Sequence, residues 1–220
     1  MRMRMPRADN GLSAAEPDKR LPFESTRSLS GVHTPLQLRL RAVAADEGTR
    51  LRALRLSALA CDGEFFGSSY ERELREPLSF WHRQAAASAE GSSERTFICE
   101  SDDRWLGMAL VRVHNADEAV LNAMWVAPTE RGRGMASALC EACRDFASAR
   151  KCRQLSLTVL RTNERAITAY ESAGFAVASS FIFTCEDGTD LEKLVMTLPL
   201  KADDLATTSM GAAPYTAYAL

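Results

Sequence analysis

The run Leu36-Gln37-Leu38-Arg39-Leu40-Arg41 alternates apolar and polar residues with period two, which predicts a strand with one buried face. The spacing then lengthens. Leu51, Leu54, Leu56, Ala58 and Leu59 recur at helical intervals and predict an amphipathic helix over about 45–60. A loop from Cys61 to Ser69 precedes a second helix from about Tyr70, which breaks near Pro77 and resumes through Trp81 to about Ser88. Thr96–Glu100 and Trp105–His114 read as a hairpin turning at Ser101-Asp102-Asp103. Ala119–Val126 and Leu155–Leu160 are further strands, and two closing strands run near Phe175–Cys185 and Lys193–Leu200. Between the middle strands, Met135, Leu139, Cys143 and Phe146 form one stripe of a helix; another helix starts at Asn163. The order is β-α-α-β-β-β-α-β-α-β-β, an α/β domain over about 35–200. Residues 1–34 and 201–220 carry no periodicity, so a disordered leader and a disordered tail are expected there.

Two junctions in this pattern carry chemistry. In the first, the strand ends at Met124-Trp125-Val126-Ala127-Pro128, and Arg131-Gly132-Arg133-Gly134 turns into the helix at Met135-Ala136-Ser137. A helix N-terminus leaves N–H groups without intrahelical partners and carries the positive end of the macrodipole. Glycines there let a large anion approach, and Arg131 and Arg133 add charge. The spacing is neither the G-x-G-x-x-G of dinucleotide folds nor a phosphate loop ending in Gly-Lys-Ser/Thr. In the second junction, Asn163-Glu164-Arg165-Ala166-Ile167-Thr168-Ala169-Tyr170 ends in Gly174-Phe175. Asn163 is an N-cap, Gly174 suits a left-handed stop, and Asn163 and Tyr170 lie near one helix face.

The order Val126-x-Pro128, Arg131-x-x-Gly134-x-Ala136, followed by N-x-x-A-x-x-x-Y-x-x-x-G-F at 163–175, resembles the GNAT superfamily of acyl-CoA-dependent N-acyltransferases. The resemblance covers roughly 36–199, with specific motifs at 124–136 and 163–175. It implies a mixed, mostly antiparallel sheet with helices on both faces, and two central parallel strands that splay to admit acyl-CoA. It implies acetyl transfer from acetyl-CoA to a primary amine of a small molecule or protein, by direct attack in a ternary complex. Met124, Trp125 and Val126 would meet the pantetheine arm, and the Val126 N–H would face the thioester oxygen. Arg131, Gly132, Arg133, Gly134, Met135, Ala136 and Ser137 would hold the pyrophosphate. Asn163 would bond the pantetheine and Tyr170 the departing thiolate. A tyrosine near ~10 facing a thiol near ~8.5 makes full proton transfer uphill by roughly 2 kcal/mol in water, so a hydrogen bond to the thiolate competes with transfer.

The general base departs from the family pattern. Ala119–Val126 and Leu155–Leu160 contain no acid or histidine, only Asn122, Ser156 and Thr158. Glu73 is the chosen acid from the helical region, with a water chain through Asn122 or Thr158 as the other route. Phe65, Phe66, Tyr70, Trp81 and Phe183, with Asn122, are candidates for the acceptor pocket. A non-catalytic acyl-CoA-binding regulatory module of the same fold is the competing reading, favoured by the missing strand carboxylate.

Composition adds bounds. The 220 residues carry a net charge of -2, which offers no global field for nucleic acid. No apolar run approaches a membrane span or a secretory signal, so a cytoplasmic protein is expected, as a monomer or homodimer. Cys140-x-x-Cys143 lies inside the helix after the glycine loop without a matching second pair, so the thiols read as packing and no metal is expected.

Overall fold

The computed structural model describes residues 38–185 and 188–200. The expected leader and tail, and the first residues of the expected first strand, lie outside the described residues. The elements follow the predicted order: β1 (Arg39–Ala42), α1 (Gly48–Asp62), α2 (Tyr70–Leu74), α3 (Leu78–Glu90), β2 (Glu94–Ser101), β3 (Arg104–Val113), β4 (Glu118–Val126), α4 (Met135–Ala149), β5 (Gln154–Leu160), α5 (Glu164–Ser172), β6 (Ala176–Thr184) and β7 (Asp190–Pro199). The break near Pro77 is complete, because a proline cannot donate the hydrogen bond that would join α2 to α3.

The strands form one seven-stranded sheet in the order β1-β2-β3-β4-β5-β7-β6. Every pairing is antiparallel except that of β4 with β5. Alternation along each strand sorts residues between two cores. Cys99, Ala109, Leu121, Leu157 and Met196 face α4, whose Met135, Leu139, Cys143 and Phe146 are buried against them as their spacing predicts. Ile98, Met108 and Trp125 face the opposite way and pack under α1 and α3 with Leu51, Leu54, Ala58, Trp81 and Ala85.

The two parallel strands do splay. They are paired only through Glu118–Gln154, Ala119–Leu155 and Val120–Ser156, although both continue further. A bulge in β4 accompanies the parting. Leu110 of β3 is opposite Asn122, yet Met108 is opposite Trp125, so Ala123 and Met124 together face the single residue Ala109. Ala123 takes φ 50°, an uncommon conformation for a residue with a Cβ. An extra residue on one strand bends that strand and re-aims its side chains and peptide groups. Here the bend comes where β4 leaves β5.

Candidate acyl-transfer site

A cleft of about 2180 Å³ opens where β4 and β5 part. This exceeds the ~300–1,000 Å³ of an ordinary small-molecule pocket and leaves room for two ligands. Met124, Trp125, Val126, Arg131, Gly132, Gly134, Met135, Ala136, Ser137, Asn163 and Tyr170 line one part of it; Phe65, Phe66, Asn122 and Phe183 line another.

The glycine loop is shaped by backbone sign. Gly132 has φ 78° and Gly134 φ 80°, and a Cβ added at either would meet nothing within 4 Å. The glycines are therefore needed for the turn itself, and the space above them is open. Gly134 caps α4 without any side-chain cap, and the first intrahelical bond runs from Ala138 N–H to Gly134 O at 3.0 Å. The N–H groups of Met135, Ala136 and Ser137 precede that bond, which leaves the first turn as an anion-binding end.

The arginines of the loop are less available than their sequence suggests. Arg131 donates from Nε to the Val126 carbonyl at 2.9 Å, and its terminal nitrogen is hydrogen-bonded to Asp62. Trp125 Nε1 donates to the same Asp62 carboxylate at 2.7 Å, and Arg165 lies 3.8 Å from its other oxygen. Asp62, the last residue of α1, thus ties the end of β4 and the loop together. No motif marks it, and its partners lie 63 and 69 residues away. Arg133 pairs with Glu130 at 2.7 Å and, against expectation, does not line the cleft.

On α5, Asn163 acts as predicted at the cap, its Oδ1 accepting from Ala166 N–H at 3.2 Å; the side chain makes no other hydrogen bond among the described residues. Tyr170 is buried, with its ring edge-on to Phe175 at 5.8 Å. Its hydroxyl bonds to no protein group among the described residues, while the residue lines the cleft. Burial pushes its pKa up, and the neighbouring Cys140 and Cys143 push the same way. The hydroxyl is therefore held as a donor. Cys140 and Cys143 are themselves packing residues, as expected, and burial pushes the Cys140 thiol up to about 12.

Three of the expected acceptor-side residues are placed elsewhere. Glu73 is a buried partner of Arg55, accepting from its Nη2 at 2.7 Å and its Nε at 2.9 Å. A carboxylate locked to a buried guanidinium outside the cleft cannot act as the base assigned to it. Trp81 packs in the core beneath α1, and Tyr70 does not line the cleft. What Glu73 does is indirect: it holds the Arg55 guanidinium 4.6 Å over the ring of Phe66, which does line the cleft.

The carboxylate missing from the strands is found one residue earlier. β4 begins at Glu118, which lines the cleft and accepts from Ser156 Oγ at 2.6 Å. The apolar run marks where a strand is buried, not where pairing begins, so the strand boundary drawn at Ala119 hid it. Asn122, on the same face as Glu118, donates from Nδ2 to the Val120 carbonyl at 3.3 Å.

Among known proteins, the family model described as the acetyltransferase (GNAT) family matches residues 57–175, more than half of the chain. A GNAT-family acetyltransferase from Streptococcus pneumoniae superposes with TM-score 0.66 at 18% identity, covering 74% of this chain and 99% of that one. A Salmonella typhimurium protein solved with its cofactor acetyl-CoA gives 0.64 at 13%, covering 78% and 99%. A spermidine N-acetyltransferase from Vibrio cholerae, in complex with CoA and spermine, gives 0.59 at 18%, covering 74% and 96%. A comparison with curated proteins finds no match.

Proposed function

The chain belongs to the GNAT acetyltransferase family, and from that premise we propose that it transfers an acetyl group from acetyl-CoA to a primary amine within a ternary complex. The observation that carries this reading is Tyr170, a buried tyrosine in the cleft whose hydroxyl has no protein partner among the described residues. A core tyrosine normally satisfies its hydroxyl. One left open in the same cleft as the glycine loop suits a thiolate that is present only during reaction.

The roles follow from position. N–H groups at Met135, Ala136 and Ser137 receive the pyrophosphate, with Gly132 and Gly134 leaving it room. The freed edge of β4 at Met124–Val126 pairs with the pantetheine as an added strand would, and the Val126 N–H stabilises the oxyanion. Tyr170 donates a hydrogen bond to the thiolate as the carbon–sulfur bond breaks. Its raised pKa favours that bond over outright transfer of the proton. The ammonium proton leaves toward Glu118. Asn122 sits four residues further along β4, about 13 Å at ~3.3 Å per residue, so the proton passes through water rather than directly.

Thiol release from acetyl-CoA across a panel of amines tests the reading. Turnover on any amine supports it. Tight acetyl-CoA binding with no turnover on the panel would instead support a regulatory acyl-CoA-binding module.

A further inference from the structure

The acceptor side of the cleft has a floor, and its register can be read strand by strand. On the face turned away from α4, Thr158 of β5 lies opposite Val195 of β7, and Leu160 lies opposite Lys193. Lys193 in turn lies opposite Phe181 of β6, and Leu191 opposite Phe183. Among the described residues, Lys193 is the only basic or carboxylate side chain that β5, β6 and β7 contribute to the cleft. It is half-buried, and its Nζ sits 3.9 Å from the centroid of the Phe183 ring. No carboxylate pairs with it among the described residues. Burial lowers its pKa, which marks a cation partly stripped of water. The aromatic face offsets only part of that loss.

The rest of the lining on this side does not select by charge, because Glu64, Glu71 and Glu118 are found there together with Arg72, Arg75 and Arg112. The floor does. An anion at Lys193 would interact in a medium less polarisable than water, where attraction is stronger. A second cation there would be repelled. The position also sets a scale. Lys193 is one strand from Leu160 and two residues along from the level of Thr158, so it stands within roughly 5–8 Å of the edge where β5 has left β4. That is the length of one small molecule.

Building on the acetyl-transfer reading above, we infer that the acceptor is a small amine that also carries a carboxylate, an amino acid or close analogue, with Lys193 holding the carboxylate. Polyamines, whose charges are all positive, are poor acceptors.

The test pairs phenylalanine, leucine and β-alanine each with its carboxamide, adds spermidine, and reads both thiol release and equilibrium binding of the amine in the presence of CoA. The wild type should favour at least one carboxylate over its carboxamide by tenfold or more. Lys193→Met should bring that ratio to about one, and Lys193→Arg, which keeps the charge, should retain most of it. Spermidine preferred over every amino acid, or a ratio unmoved by Lys193→Met, overturns the inference. Turnover indifferent to the carboxylate sinks this inference and leaves acetyl transfer standing. Carboxylates that bind through Lys193 but never turn over leave this site standing and remove the transfer reading. Neither binding nor turnover with any of these amines overturns both.

Discussion

The half of the cleft that faces the expected acetyl donor and the half that faces the acceptor are built on opposite plans. The donor half is made of consecutive backbone: the bulged end of β4, the turn at 131–134 and the first turn of α4. Its arginines are bonded within the protein, Arg131 to Asp62 and Val126, Arg133 to Glu130. The acceptor half is made of side chains from distant elements, Phe65 and Phe66 after α1, Glu118 and Asn122 on β4, Lys193 on β7 and Phe183 on β6. Lys193, on its floor, is left without a carboxylate partner among the described residues. A pyrophosphate can be recognised by peptide groups that any sequence supplies. An acceptor has to be recognised by side chains, and those can vary without disturbing the fold.

The largest test of the contrast falls on Glu73, which belongs to the acceptor half as a support and not as a base. Glu73→Leu leaves Arg55 charged and buried. The expected loss of stability is about 3–5 kcal/mol, seen in chemical denaturation. The double variant Arg55→Leu with Glu73→Leu should recover most of it, because replacing a buried pair by apolar groups is far cheaper than halving it. Turnover per folded molecule should fall less than tenfold. A variant that keeps its stability and loses all turnover would return Glu73 to chemistry and blur the division.

Tyr170→Phe comes next, on the donor side. It keeps the ring against Phe175 and removes the hydroxyl that has no protein partner among the described residues. An interaction made mainly in the transition state lowers turnover and leaves substrate affinity alone. A loss of ten- to a hundredfold is expected, ~1.4–2.7 kcal/mol, with acetyl-CoA affinity unchanged by calorimetry. Unaltered turnover with a lowered melting temperature would make Tyr170 packing and leave the thiolate to water. Gly134→Asp tests the backbone cradle. It introduces a carboxylate into the open space and a side chain at positive φ, and should weaken acetyl-CoA binding at least about tenfold, ~1.4 kcal/mol, while the protein remains folded. Equal affinity would remove the loop from the site.

The same contrast explains what the sequence could and could not disclose. Element order, the break at Pro77, the stripe of α4 and the cap at Asn163 are local properties, set by spacing over a few residues. The donor half is likewise a local object, so its residues could be named in order. Arg55 and Glu73 meet across 18 residues, Ser156 and Glu118 across 38, Trp125 and Asp62 across 63. No periodicity encodes such pairings. Trp81 packs under α1 and Glu73 binds Arg55, and an aromatic or an acid on a helix is assigned to a cleft only by knowing what that helix packs against. Lys193 lay inside an expected strand, and its place on the floor follows only from the β5–β7 register.

The smallest expected effect bears on how the donor half holds an anion, and it has an unusual sign. Asp62→Asn preserves an acceptor for Trp125 Nε1 and removes the charge that engages Arg131 and lies near Arg165. The pair is partly buried, with side-chain exposures of 23% for Arg131 and 14% for Asp62, so its loss should cost no more than about 1 kcal/mol of stability. If peptide groups carry the pyrophosphate, removing Asp62 cannot weaken binding much. It frees a guanidinium at the mouth of the cleft and removes a negative charge from its wall. Acetyl-CoA should then bind equally well or up to about fivefold tighter, ~1 kcal/mol, in buffer of low ionic strength. The gain should vanish near 1 M salt, where the screening length falls to about 3 Å. Were affinity to fall fivefold or more, Arg131 would need Asp62 to aim it, and the guanidinium rather than the backbone would be the anchor of the donor half.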